Sequence, residues 1–146
     1  MEKSVRTAYL IRQIQLHCRA RLDDALQAFD ITTSQYTILS ILDRRDGLSA
    51  AQLSRRYSVT PQSMNALIGA LEEKELISRR EAPENRRILR TTLTRAGREL
   101  LAACDAAIDR AEADLFGKLA KSELVALRQA LQKLVMTTRS KTRVPA

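Results

Sequence analysis

Two helix starts lie close together near residues 49 and 60, and they constrain this chain more than any other feature. Ser49-Ala50-Ala51-Gln52 has the S-x-x-Q form of a capping box. In that motif the serine hydroxyl takes the N–H of the third helical residue, and the glutamine reaches back to the serine's own N–H. A short helix is predicted from here through Tyr57. Ser58-Val59 leaves room only for a tight turn. Thr60-Pro61 then starts a second helix, with a capping hydroxyl followed by proline at the first helical position, where a missing N–H costs nothing. Met64, Leu67, Ile68 and Leu71 follow at i, i+3, i+4 and i+7, one apolar stripe over two turns. Two short helices joined by two or three residues have helix-turn-helix spacing.

The flanks read as longer helices. Val5, Tyr9, Ile14, Leu22, Leu26 and Phe29 recur at helix-compatible spacings, which predicts one helix over residues 5–29. Thr32-Thr33-Ser34-Gln35 is another capping box and opens a helix through about Arg44, with Ile38, Leu39, Ile41 and Leu42 inward; Asp46-Gly47 closes it. After Glu75 the period shortens. Leu76–Glu81 and Ile88–Leu93 each suit a strand, and Ala82–Arg87 between them reads as a polar loop, giving a β-hairpin. Thr94 is expected to cap a long helix in which Ala96, Leu100, Cys104, Ala107, Ala111, Leu115 and Leu119 step by three or four. Ser122 is expected to cap a last helix carrying Leu124, Leu127, Leu131 and Leu134 on one face. The tail from Thr137, with Arg139, Lys141 and Arg143, is expected to fray.

The fold class is therefore mostly α with one small β-hairpin, a winged helix-turn-helix between long N- and C-terminal helices. Residues 32–97 are expected to form the DNA-binding module of a single 146-residue protomer, with residues 1–31 and 98–140 as dimerisation helices. Those outer helices carry apolar stripes that the small central module cannot cover alone. A two-fold interface would bury them and set two recognition helices about one DNA turn apart. The other reading is an intramolecular bundle of the three long helices.

Charge indicates where a partner would sit. The chain carries 25 Lys and Arg against 17 Asp and Glu, a net +8, which points to a polyanion: nucleic acid or an acidic membrane face. Position favours nucleic acid. Between residues 76 and 98 lie Arg79, Arg80, Arg86, Arg87, Arg90, Arg95 and Arg98 against Glu81 and Glu84, with no lysine, so this stretch holds +5 of the +8. Arginine suits bidentate phosphate contacts and narrow minor grooves. Directly after a helix-turn-helix, such a hairpin is more than a solvated basic surface. No apolar run is long enough to span a membrane, and the run Ala8–Ile11 is too short for a signal sequence. A cytoplasmic protein with Cys18 and Cys104 reduced is expected.

With the apolar stripe turned inward, Gln62, Asn65, Ala66 and Gly69 face outward on the second helix and Ser63 sits at the edge. Gln and Asn can each bond adenine N6 and N7 together, and Ala can pack on a thymine methyl. The expected DNA-contacting set is Ser49, Thr60, Pro61, Gln62, Ser63, Asn65, Ala66 and Gly69 from the helix pair, with Arg79, Asn85, Arg86 and Arg87 from the hairpin. An enzyme is not expected. One His and four Gly supply no nucleophile–base pair and no phosphate-cradling loop, and His17 cannot complete a zinc site with two distant cysteines. No catalytic residue, cofactor or metal is expected.

Leu53-Ser54-Arg55-Arg56-Tyr57-Ser58-Val59-Thr60-Pro61, followed by Leu71-Glu72-Glu73-Lys74-Glu75-Leu76-Ile77-Ser78-Arg79, resembles the helix-turn-helix of the MarR family. Asn85-Arg86-Arg87 and then Leu93-Thr94-Arg95-Ala96-Gly97 resemble that family's wing and its run into the fifth helix. The resemblance covers essentially the whole chain. It implies an obligate homodimer, a palindromic double-stranded operator, and repression relieved by a small molecule, often a phenolic or aromatic carboxylate, or by oxidation. His17, Arg21 and Tyr36 are the polar residues of the first two helices that such an effector pocket would use. The expected function is a sequence-specific transcription regulator, a repressor released by a small-molecule ligand. The alternatives are a non-specific architectural DNA-binding protein and a thiol-based redox-sensing regulator.

Three departures from the family pattern matter. Asn85 stands where the family's wing usually has Asp, so Arg87 is not held there by charge. Glu75 stands where the family usually has Gly, which adds about 1 kcal/mol of strain if the backbone is left-handed there. Ala66 and Ala70 stand where arginines are common, so phosphate affinity leans on the hairpin.

Overall fold

The computed structural model describes residues 5–141, with side chains described through residue 138. The order is α1 (Thr7–Leu26), α2 (Thr33–Arg44), α3 (Ala50–Tyr57), α4 (Pro61–Glu73), β1 (Ile77–Ala82), β2 (Asn85–Leu93), α5 (Arg95–Phe116) and α6 (Lys121–Lys141). The chain divides after Ala111 into two units. The expected mostly helical winged module with its hairpin is what the chain forms.

The first unit is built around aliphatic side chains from every element of the module. Leu26, Ile38, Leu39, Leu53, Met64, Ile68 and Leu71 are fully buried, and Leu76, Ile77, Leu93, Leu101 and Ile108 pack against them nearly as deeply. Each such burial contributes about 1.5–3 kcal/mol. The α2 capping box forms as read, with Gln35 N–H donating to Thr32 Oγ1 at 3.1 Å and Thr32 N–H to Gln35 Oε1 at 3.0 Å. Thr33 adds a link to the preceding helix, its hydroxyl donating to Asp23 Oδ1.

Several boundaries differ from the sequence expectation. The first helix ends at Leu26; Gln27–Phe29 tighten into a 3₁₀ turn and Asp30 turns left-handed at φ 52°. Along the stripe over residues 5–29, Val5, Tyr9 and Ile14 are exposed, Leu22 and Phe29 half-buried and Leu26 buried. The hairpin loop is shorter than Ala82–Arg87. Ala82 pairs with Asn85, so Pro83-Glu84 alone makes the turn, and Asn85, Arg86 and Arg87 lie on β2. Residues 83–90 are exposed on both faces, which erases the alternation that marks a strand in sequence.

Helix α5 begins where Thr94 was expected to cap it, with Gly97 N–H donating to Thr94 Oγ1 at 3.0 Å. Its buried line runs through Gly97, Leu101, Cys104, Ala107, Ile108 and Ala111, while Ala96 is exposed. Helix α6 starts before Ser122. Ala120 N–H donates to Glu123 Oε2 at 2.7 Å, so the glutamate closes the first turn and Ser122 is inside it. The helix continues through Lys141, so residues 137–141 are helical rather than frayed; Arg143 lies outside the described residues. Among the described residues, no helix is long and apolar enough to cross a membrane.

Candidate nucleic-acid interface

The helix pair forms as its start signals require. At the head of α3, Gln52 N–H donates to Ser49 Oγ at 3.2 Å, and Ser49 N–H donates to Gln52 Oε1 at 2.9 Å. Ser58 closes α3 in the left-handed region at φ 56°, which reverses the chain within two residues. At the head of α4, Ser63 N–H donates to Thr60 Oγ1 at 3.2 Å, and the Thr60 hydroxyl donates to Ser63 Oγ at 3.0 Å. The hydroxyls of Ser49, Thr60 and Ser63 therefore first fix helix ends.

The phasing of α4 matches the helical wheel. Met64, Ile68 and Leu71 are completely buried and Leu67 is half-buried, while Gln62, Asn65 and Ala66 are exposed with Pro61 and Ser63 before them. Gly69 is half-buried one turn further on, with open space where a Cβ would stand. The first two turns of α4 thus present a short polar face and no bulky side chain. The far end of the helix closes as a Schellman motif. Leu76 N–H donates to Leu71 O at 3.1 Å and Glu75 N–H to Glu72 O at 2.9 Å, with Glu75 left-handed at φ 58°. The position where the family pattern has glycine is left-handed here too, and this chain fills it with glutamate.

The hairpin arginines fall into two groups. Arg80, Arg86 and Arg87 are exposed and make no side-chain ion pair among the described residues. Arg90 and Arg79 are engaged. Arg90 pairs with Glu84 at the turn. Arg79 makes a two-pronged pair with Glu72 of α4, with Nε and Nη2 each donating at 2.9 Å to the two carboxylate oxygens. The Arg79 hydrogen bonds hold the Glu72 carboxyl below its ordinary pKa. Arg79, one of the residues expected to contact DNA, has its guanidinium on Glu72 of α4. Asn85 accepts a hydrogen bond from Arg87 N–H at 3.0 Å, so it shapes the backbone before Arg87 and leaves that guanidinium unheld.

Of the three expected effector residues, two lie on α1 and one on α2. His17 and Arg21 lie four residues apart on the exposed surface of α1. The Tyr36 hydroxyl donates to Asp105 Oδ1 at 2.6 Å, tying α2 to α5, and burial followed by that bond pushes its pKa up to about 12. An open groove of about 700 Å³ lies along the flank of α4, lined by Arg19, Ser34, Tyr57, Ser63, Ala66 and Ala70 among others. None of His17, Arg21 and Tyr36 lines it. Across its floor the Tyr57 hydroxyl donates to Ser34 Oγ at 2.9 Å. Cys104 is fully buried, and burial pushes its thiol up to about 11. Among the described residues no group of three or more His, Cys, Asp and Glu side chains is placed to hold a metal.

Sequence reasoning left Glu72, Arg80 and the groove residues Arg19, Ser34 and Tyr57 out of the site. Arg80 was visible in the charge count. The Glu72–Arg79 pair crosses from helix to strand through a left-handed turn, and no periodicity reports such a contact.

Comparison with known proteins agrees with this geometry. A sequence model of the MarR family matches residues 29–88. The HTH-type transcriptional repressor Rv2887 of Mycobacterium tuberculosis is 31% identical over 126 residues, covering 86% of this chain and 91% of the relative. The solved structure of that Rv2887 protein in complex with salicylic acid superposes with a TM-score of 0.74 at 29% identity, covering 92% of this chain and 99% of the other. Its complex with DNA gives 0.76 at 28% identity, covering 90% and 98%. Wild-type apo MarR of E. coli shares the fold, with a TM-score of 0.80 at 20% identity over 90% of this chain and 98% of that one.

Proposed function

Because this chain belongs to the MarR family, whose matched relatives are transcriptional regulators, we propose that it is a sequence-specific repressor that binds a palindromic DNA site as a homodimer and is released by a small aromatic acid. One observation carries the DNA reading. The first turns of α4 offer Gln62 and Asn65 beside small residues, and three arginines of the neighbouring hairpin make no ion pair among the described residues. In such an arrangement the helix reads base edges from the major groove, Gln62 and Asn65 bond adenine, and Ala66 packs on a thymine methyl. Arg86 and Arg87 neutralise phosphates or enter the adjacent minor groove. Ser49, Thr60 and Ser63 lend hydroxyls to the backbone beside them, and Pro61 and Gly69 allow close approach.

Dimerisation is supported by the outer helices, each taken alone. Tyr9, Leu10, Ile11, Ile14 and Leu16 of α1 are more than two-fifths exposed, as are Leu131, Leu134, Val135 and Met136 of α6. Apolar surface of this extent marks an association face. The ligand reading is supported by the salicylate complex of the Mycobacterium relative and by the groove flanking α4, where Arg19 offers a cation and Tyr57 a ring.

The test is selection of duplexes by the purified protein from a randomised pool, with light scattering for its mass and salicylate as the first ligand probe. A palindromic consensus bound by a dimer and weakened by salicylate is expected. Binding that falls steeply with salt yet enriches no sequence would leave an architectural DNA-binding protein instead.

A further inference from the structure

The C-terminal turn of the recognition helix is held from two sides. Glu72 receives both prongs of Arg79 from β1, and Lys74 reaches the connector before α2, bonding Asp30 O and lying 3.5 Å from Asp30 Oδ2. The Arg79 bond is the more specific. Nε and Nη2 donate in parallel, a fork geometry that fixes both distance and plane. Arg79 is about a quarter exposed and Glu72 about two-fifths, so the pair sits at the seam between helix and wing. Between these partners the chain makes the left-handed turn at Glu75, and the Arg79 fork spans it from strand to helix.

We propose that Arg79 is a positioning residue for DNA recognition: it locks the wing strand to the recognition helix through Glu72, so that the base-reading face and the free arginines Arg86 and Arg87 meet the duplex in one register. Arg79 thus serves specificity, and its guanidinium is not one of those that release counterions from DNA. The inference rests on the DNA-binding reading above.

The experiment uses the full-length protein and the duplex it enriches most from a randomised pool, beside a scrambled duplex, each titrated over a range of salt. Arg79→Ala should lower affinity for the selected duplex about tenfold, the scale of one lost base contact, with its salt slope unchanged. Glu72→Gln is the decisive partner variant, because the two roles give it opposite signs. If Arg79 positions the wing, Glu72→Gln lowers the ratio of selected to scrambled affinity, and the double variant is no worse than either single one. If Arg79 is a phosphate ligand that Glu72 merely holds back, Glu72→Gln strengthens both duplexes and Arg79→Ala flattens the slope by about one ion. That result overturns the inference while leaving the regulator reading intact. A wild-type protein that enriches no sequence overturns both. Arg79→Lys keeps the charge but loses the fork, so it should leave the ratio as low as Arg79→Ala does.

Discussion

Gly97 packs so closely on Leu76 that a Cβ placed on it would stand 2.1 Å from the Leu76 carbonyl oxygen. The two residues join the foot of the recognition helix to the first turn of α5, and Thr94 completes the joint by donating its hydroxyl to Glu75 O at 2.7 Å. The obstacle is backbone on both sides, so no side-chain rotation can relieve it. Gly97→Ala should therefore lower the unfolding free energy by several kcal/mol, among the large values that named steric mechanisms produce. Urea denaturation of the two proteins checks it. A change of less than about 1 kcal/mol would mean that α5 does not lie this close to the turn.

Glu75 is the converse case, a side chain where none is wanted. Its φ of 58° is a conformation that glycine adopts freely, and the side chain is exposed. Glu75→Gly should raise stability by up to about 1 kcal/mol, the left-handed penalty less what glycine's greater freedom in the unfolded chain takes back. A shift of the thermal midpoint upward by a few degrees is the expected reading.

Arg87 and Asn65 should separate affinity from specificity. Arg87 lies on the exposed first half of β2 and makes no ion pair among the described residues, so Arg87→Ala should weaken all duplexes alike and flatten the salt slope. Asn65 lies on the open face of α4, so Asn65→Ala should cost about 1–3 kcal/mol on the selected duplex and relax preference at one base pair per half-site. Gel shifts with duplexes carrying single base-pair changes distinguish the two. Equal loss on every sequence for Asn65→Ala would mean that another face of the helix reads the bases.

Cys104 speaks to the redox reading. Its sulfur is fully buried, and desolvation, followed by the charge of Asp105, raises the thiol pKa to about 11. At neutral pH it stays protonated and so is a poor nucleophile toward peroxide. Cys104 should label with an aromatic disulfide reagent only after denaturation, and the wild type and Cys104→Ser should respond to peroxide identically in DNA binding. Rapid labelling of the native protein at Cys104 would revive the thiol switch.

Much of this protein is set by local rules that a sequence displays. The capping boxes at Thr32 and Ser49 and the Thr60-Pro61 start each involve residues three apart, so the order of helices and the phasing of α4 around Met64, Ile68 and Leu71 were legible in advance. The density of arginine in the hairpin was equally plain. What each arginine does was not. Arg79 and Arg86 differ in nothing a sequence reports; only the packing of β1 against α4 gives Arg79 a carboxylate partner and leaves Arg86 free. The same holds for Tyr36, whose partner Asp105 is 69 residues away, and for the groove whose walls come from four separate segments. Capping and periodicity act within one turn of backbone, whereas the pairing of charges depends on distances that exist only once the chain has folded.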